Sequence, residues 1–279
     1  MRRSPNSKSN LERAISRYAD NDAVRANELA VSLSNAIVAQ MIGAGVVKGG
    51  TSLRLRYGEE ATRVTKDLDT AFSVDLDSFL KDIGGKLKTG WSGFTGEVVV
   101  LKQASPKGIP FDYVMQPCAV HLSYLNTPWR VVDMEVGHNE IGDADAFDTI
   151  PVPREVSSLV EFLCLPALGA VRAMRLEYQV AQKLHGATEL GSKRAHDLID
   201  LQLILSQNEI DMAKTASICR ELFRYRRKQP WPTCVVKNEN WDAAYLERKG
   251  GLKVLPTVDE AIAWTNDLIG RIAAVSYGS

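Results

Sequence analysis

Disulfide frameworks and zinc sites need residues that this chain has little of: four cysteines and four histidines in 279 residues. Cys118, Cys164, Cys219 and Cys234 are widely scattered, no Cys-x-x-Cys occurs, and the histidines keep no zinc-finger spacing. Reduced thiols in a cytoplasmic protein are the expectation, and a zinc site is not. Net charge is absent too, since 34 Lys and Arg balance 34 Asp and Glu. A neutral chain has no global pull toward nucleic acid, so any such binding needs a local patch. No apolar run reaches membrane-spanning length. The basic, polar start MRRSPNSKSN is not followed by an apolar signal core and reads as a frayed tail. Neither His-Glu-x-x-His nor Gly-x-Ser-x-Gly appears, so a two-histidine metalloprotease and a serine hydrolase have no support. What remains is an ordinary soluble composition, long enough for one large domain or two smaller ones.

What the chain does have is concentrated in residues 46–72, VVKGGTSLRLRYGEEATRVTKDLDTAF. The pattern predicts a strand, a tight glycine turn at Lys48-Gly49-Gly50, a helix opened by Thr51-Ser52, a loop, and a second strand. Two glycines let the backbone turn sharply and approach a ligand without a Cβ in the way. Thr51 or Ser52 can cap the helix, whose free N–H groups and positive end favour a phosphate. Asp67 and Asp69 are two apart on the second strand, so both carboxylates point to one face. A divalent cation relieves their mutual repulsion, and hard oxygen ligands suit magnesium. A phosphate cradle followed by such a pair meets the needs of metal-assisted phosphoryl or nucleotidyl transfer.

These residues resemble a known family. Lys48-Gly49-Gly50-Thr51-Ser52-Leu53, followed by Arg63-x-Thr65-x-Asp67-Leu68-Asp69, is similar to the signature of the AbiEii/AbiGii toxins. These are nucleotidyltransferases of the DNA polymerase β superfamily, and the MenT toxins belong with them. Thr stands beside Ser where Gly-Ser is commonest, and the spacer is longer than the superfamily's shortest form. Whether Thr51 or Ser52 meets the phosphate stays open.

The resemblance implies an α+β fold: a polymerase β-type core, a mixed sheet flanked by helices, with a helical C-terminal half. Residues 1–153 are expected to form the core with its N-terminal helices, and 154–279 a helical domain that completes the active site. Lys48, Gly49, Gly50, Thr51, Ser52 and Arg63 would bind the nucleoside triphosphate. Asp67 and Asp69 would hold magnesium or manganese. A third carboxylate is expected from a neighbouring strand, at Glu135 or Asp133.

The chain around this stretch reads as follows. Residues 10–44 give one or two scaffold helices, with Asn10 as a cap and Gly43 as a stop. A second Asp-x-Asp, Asp75 and Asp77, has no phosphate turn before it and reads as the cap and first turn of a short helix that Gly84-Gly85 ends or breaks. Strands are expected over 96–101, 113–121 and 129–136, with a turn at Ser105-Pro106-Lys107-Gly108. In the third strand Val131, Asp133 and Glu135 share one face and Val132, Met134 and Val136 the other. Residues 139–153 read as an acidic surface connection.

Beyond Pro153 helical patterns dominate, including one over 165–186. Lys183 falls on a stripe with Leu176, Val180 and Ala187, and either snorkels to solvent or serves as a placed charge. Ala181-Gln182-Lys183-Leu184-His185 is similar to the family's Glu-Lys-Leu helix, whose lysine faces the nucleotide; Gln182 replaces the usual acid. Lys193-Arg194-Ala195-His196-Asp197-Leu198-Ile199-Asp200-Leu201 resembles its Arg/Lys-Asp-x-x-Asp-Leu element. Asp197 and Asp200 share a helical face, and one of them is expected to approach Lys183 and the active site, as catalytic candidates with Lys183, Asp67 and Asp69. The basic run Arg220–Lys228, with Tyr225 and Trp231 interleaved, is either a patch for RNA phosphates and bases or a solvated helix end. Two more helices are expected over 241–248 and 258–273. The resemblance implies a toxin with a cognate antitoxin that transfers nucleotides from an NTP to RNA, the 3′ end of tRNA. A protein or small-molecule hydroxyl as acceptor, or a nucleotide-binding module without turnover, are the other readings.

Overall fold

Ser7, rather than Asn10, opens the first helix. Its side chain accepts the Asn10 backbone N–H, and helix α1 runs Lys8–Tyr18, burying Leu11, Ala14 and Ile15. Asp22 caps α2 (Ala23–Ala39) by accepting the N–H groups of Val24 and Arg25. The computed structural model describes residues 3–104 and 114–275. The chain divides into two units, one of Met1–Gly58, Thr65–Asn139 and Ala144–Ala173, the other of Glu59–Val64, Glu140–Asp143 and Met174–Ser279.

The first unit is built on a mixed sheet of seven strands among the described residues: β1 (Gly45–Val47), β2 (Leu68–Phe72), β3 (Phe94–Val100), β4 (Gln116–Tyr124), β5 (Thr127–Gly137), β6 (Phe147–Ile150) and β7 (Val171–Met174). Their spatial order is β3-β4-β5-β2-β1-β7-β6. β2 is antiparallel to β1 and parallel to β5. β3, β4 and β5 form an antiparallel meander. Alternation along β5 is clean: Val132, Met134 and Val136 are buried, while Val131, Asp133 and Glu135 are exposed. The buried side joins one core with α1, α2, helix α4 (Leu76–Thr89) and helix α5 (Arg154–Phe162). The sheet therefore has an apolar face packed under helices, and its other face carries the carboxylates.

Several local expectations change. Gly84 and Gly85 do not end α4. The helix passes through them to Thr89 and stops at Gly90, whose φ is +77°. Phe79, Ile83 and Leu87 are buried on one face of this helix, and that burial outweighs the glycine cost of roughly 1 kcal/mol each. Asp75 does cap it, accepting the Ser78 N–H, which holds its carboxyl below the ordinary value. The acidic connection 139–153 contains strand β6. The single helix expected over 165–186 is broken: Val171–Met174 is strand β7, parallel to β1 through Val47 and Ala173. Four apolar-rich residues fit a buried strand as well as a helical turn, and sheet pairing decides between them. The turn expected at 105–108 and the start of the strand at Tyr113 lie outside the described residues.

The second unit is helical: α6 (Leu176–Thr188), α7 (His196–Gln207), α8 (Met212–Arg226), α9 (Trp241–Lys249) and α10 (Val258–Val275). α6 packs on α7 and α8, and α10 packs on α7, α8 and α9. Trp241, Tyr245 and Phe223 are fully buried among them. The whole is the α+β fold expected, a mixed sheet flanked by helices with a helical C-terminal half.

Candidate active site

The turn after β1 brings the phosphate-binding candidates against the first carboxylates. Lys48 N–H donates to the Asp69 carbonyl at 2.8 Å, and helix α3 (Gly49–Tyr57) begins at once. Gly49 has φ +64°, a left-handed conformation that favours glycine. A Cβ there would lie 2.1 Å from Asp69 Oδ2, so the carboxylate occupies the space a side chain would fill. Thr51 and Ser52 do not cap the helix. Its N-cap is Lys48, without a side-chain bond, and both hydroxyl residues are buried in the first turns. Thr51 Oγ1 donates to the Asp67 carbonyl at 2.5 Å and ties the turn to the approach of β2. Lys48 Nζ lies 2.6 Å from where a Cβ on Gly137 would sit, over the end of β5. The first-turn N–H groups at Gly49, Gly50 and Thr51 have no carbonyl a helical turn earlier to bond.

Asp67 falls one residue before β2, exposed at a bend, so only Asp69 of the expected strand pair lies in the strand, where it is half-buried. Asp69 is the register partner of Glu135 on parallel β5. Neighbouring strands lie about 4.8 Å apart, so these two carboxylates are side by side on one face of the sheet. Asp133 is the next residue along that face of β5 and pairs with Ala119 of β4.

Among the described residues no three His, Cys, Asp or Glu side chains form a ready-made metal cluster. The oxygen-only donors Asp67, Asp69 and Glu135, beside a glycine turn, nevertheless fit magnesium or manganese. Magnesium takes one or two protein carboxylates and fills its remaining positions with water and substrate phosphate.

In the second unit Lys183, Asp197 and Asp200 come together with Arg63 and Arg194. Lys183 does not snorkel: it is 3% exposed. Its Nζ donates to Asp200 Oδ2 at 2.6 Å and to Asp197 Oδ1 at 3.3 Å, so both acids approach it. Arg63 grips Asp200 with two bonds of 3.0 Å, and Arg194 grips Asp197 at 2.5 and 3.3 Å. Burial alone would raise the carboxyl of Asp197, but Arg194 and then Lys183 outweigh it and hold it well below the usual range. For Asp200 the opposing charges are Lys183 and Arg63, with the same net direction. His196, beside Asp197, is pushed down to about 4, by burial first and by Arg63 and Arg194 against the pull of Asp197.

The basic run is only partly a free surface. Arg220, Arg224 and Arg227 are exposed. Arg226 instead forms a fork with Glu140, at 3.0 and 2.5 Å, and Lys228 pairs with Glu189. Trp231 packs its ring on Phe223 at 5.1 Å. Glu140 and Asp143 were not singled out from the sequence. Their spacing of three inside NEIGDADAF looked like the rest of an acidic loop, yet Asp143 is fully buried and accepts from Gln182 at 2.6 Å.

A mixed sheet with a carboxylate pair in register beside a glycine-opened helix is the nucleotidyltransferase class of fold. Residues 32–264 match the family model described as nucleotidyl transferase AbiEii toxin, type IV toxin–antitoxin system. The chain belongs to this family of nucleotidyltransferase toxins. Among solved structures it is similar to MenT4, a nucleotidyltransferase toxin from Mycobacterium tuberculosis, with a TM-score of 0.51 and 17% identity over 95% of this chain and 98% of that one. JHP933 from Helicobacter pylori aligns with a TM-score of 0.46 and 15% identity over 88% and 90% of the two chains. No curated protein matches the chain. No helix among the described residues is long and apolar enough to cross a membrane.

Proposed function

We propose that this toxin transfers nucleotides from a nucleoside triphosphate to an RNA acceptor, the 3′ end of tRNA, and is opposed in the cytoplasm by a cognate antitoxin. The observation that carries the reading is the contact of Gly49 with Asp69 beside Glu135. A backbone able to cradle phosphate and a carboxylate pair meet at one point.

In this reading Lys48, Gly49, Gly50, Thr51 and Ser52 receive the triphosphate. The backbone N–H groups of the α3 N-terminus face the phosphates, and Thr51 holds the turn to Asp67. Asp67, Asp69 and Glu135 would hold magnesium or manganese, which when bound supplies positive charge to the triphosphate and lowers the pKa of a coordinated hydroxyl. The carboxylates themselves orient the acceptor hydroxyl and accept charge-assisted hydrogen bonds from it. Lys183 would neutralise charge developing on the phosphates. Asp197 and Asp200 fix its Nζ, and a fixed cation costs no reorganisation as phosphate charge develops. Arg63 is committed to Asp200 by two bonds, so its part in substrate binding is exerted through that acid. Arg220, Arg224 and Arg227 are the residues of the basic run left to meet RNA phosphates.

Incubating the purified protein with each labelled NTP, magnesium and total tRNA tests this. Label should enter tRNA, and periodate oxidation of the tRNA 3′ ends beforehand should prevent it. Label entering protein instead would move the assignment to protein nucleotidylation. NTP binding without transfer to any acceptor would leave a nucleotide-binding module.

A further inference from the structure

The first unit contains a basic cavity that the transfer site does not use. It holds about 670 Å³ and lies where β3, β4 and β5 meet the first residue of α1 and the last turn of α4. All of its lining residues belong to the first unit. Three of them are cations from three different elements: Lys8 of α1, Lys88 of α4 and Arg130 of β5. Glu97 is the one carboxylate of the lining and His121 its one imidazole.

Strand register accounts for the opening. Gly96, Leu122 and Arg130 form one row across β3, β4 and β5. A Cβ on Gly96 would meet Leu122 Cδ2 at 3.1 Å and Leu87 Cδ2 at 3.3 Å, so this row faces α4. Glycine leaves the β3 end of the row without a side chain, beside the helix residue that precedes Lys88.

Two of the three cations are placed at a cost. Lys88 lies in the last turn of α4, where the negative end of the helix favours it. Lys8 is the first residue of α1, at the positive end of the helix, which favours an anion and not a cation. Its ion pair with Glu12 is a loose 3.8 Å. Arg130 is half-buried, and its Nη2 donates to a neutral acceptor, Asn27 Oδ1, at 2.8 Å. Burial pulls its guanidinium below the ordinary value, against the attraction of Glu12. Among the described residues neither Arg130 nor Lys88 forms an ion pair. A partly desolvated guanidinium without a carboxylate partner is unfavourable until an anion completes it.

We infer that this cavity is a second phosphate-binding site, separate from the turn at Gly49: Lys8, Lys88 and Arg130 together bind a phosphate group carried by RNA or by a free nucleotide. Arginine offers a planar fork to phosphate oxygens and lysine a point charge. Ser123 and Asn126, also in the lining, can donate to the remaining oxygens. Along β5, Arg130 is five residues from Glu135, about 16 Å at the rise of a strand, so one phosphate cannot serve both places. The site does not depend on the transfer reading.

An NMR titration of the isotope-labelled protein with inorganic phosphate should shift the backbone amides of Gly96, Ser123 and Asn126 saturably. Lys88→Gln should weaken this binding by roughly threefold to tenfold, and Lys88→Arg should keep it. Lys88 is exposed, so its variants leave folding intact. Arg130→Gln should act in the same direction at matched folded fraction. Two further measurements name the source of the phosphate. If it is the RNA backbone, the slope of log K against log salt for tRNA binding should fall by about 1 in Lys88→Gln. If it is a free nucleotide, ATP should shift the same three amides and the tRNA slope should not change. Amides that stay still in phosphate, or respond equally in wild type and Lys88→Gln, would overturn the inference. So would a response to inorganic phosphate with no effect in the tRNA or ATP measurement, which would make the ion adventitious.

Discussion

Gly49 is the residue on which the site geometry turns. Its φ of +64° and the 2.1 Å between a built Cβ and Asp69 Oδ2 leave no room for alanine without moving the carboxylate. Gly49→Ala should therefore destabilise the fold by about 1–2 kcal/mol through the left-handed backbone. Its larger effect should be on transfer, where a displacement near 1 Å costs on the order of a hundredfold in rate. Denaturation midpoints and single-turnover rates of the same preparation check this; an alanine variant with wild-type kcat would show that Asp69 need not sit against the turn. At this scale the sequence was informative. A tight glycine turn has a local cause, and the turn at Gly49 was legible. The roles of Thr51 and Ser52 were not. Capping is decided by where the backbone turns, and Lys48 takes that position while Thr51 bonds a carbonyl sixteen residues away.

Elements were legible where one face is buried and the pattern is long. β5 read correctly residue by residue because its alternation separates Val132, Met134 and Val136 from Asp133 and Glu135. α4 and β7 were misread for opposite reasons. In α4, two glycines suggested a stop, but the buried stripe of Phe79, Ile83 and Leu87 carries the helix past them. In β7, four residues are too few to show a period, and pairing with β1 is a tertiary fact. The first case gives a prediction. A Cβ at Gly84 or Gly85 meets nothing within 4 Å, and both lie inside the helix. Gly84→Ala and Gly85→Ala should each stabilise the protein by about 0.4–1 kcal/mol, seen as a higher midpoint in urea with transfer unchanged. A lower midpoint would mean that the helix interior is already strained there.

At the scale of the whole molecule, what the sequence could not display is which distant charges meet. Arg63 and Asp200 are 137 residues apart, and Arg226 and Glu140 are 86 apart; no periodicity links them. Their burial does set the response to acid. His185 is pushed down to about 3, by burial and then by Arg226, and His196 to about 4, against an ordinary value of 6.5. The unfolded chain takes up these protons as pH falls through 6.5 and the fold does not, so stability falls from there toward pH 4. Each histidine contributes up to about 1.4 kcal/mol per pH unit in that window, and a drop from pH 7 to pH 5 should cost roughly 2–4 kcal/mol. Asp197 and Asp200 have lowered values, so their stabilisation is present above the ordinary carboxylate value and is lost only as pH falls below it. Urea midpoints at pH 7 and pH 5 should differ accordingly, with a smaller difference for His185→Gln; equal midpoints would contradict the burial of these imidazoles.

In the proposed function, Asp69 and Glu135, side by side on one face of the sheet, carry out nucleotide transfer. The direct measurement is the rate of label transfer from NTP to tRNA by wild type, Asp69→Asn and Glu135→Gln at saturating magnesium, with folding verified for each. Wild type should transfer, and Asp69→Asn should be reduced by at least about a thousandfold, with Glu135→Gln intermediate, because each amide keeps the shape and removes the charge. Transfer by Asp69→Asn at the wild-type rate would place the chemistry elsewhere in the protein.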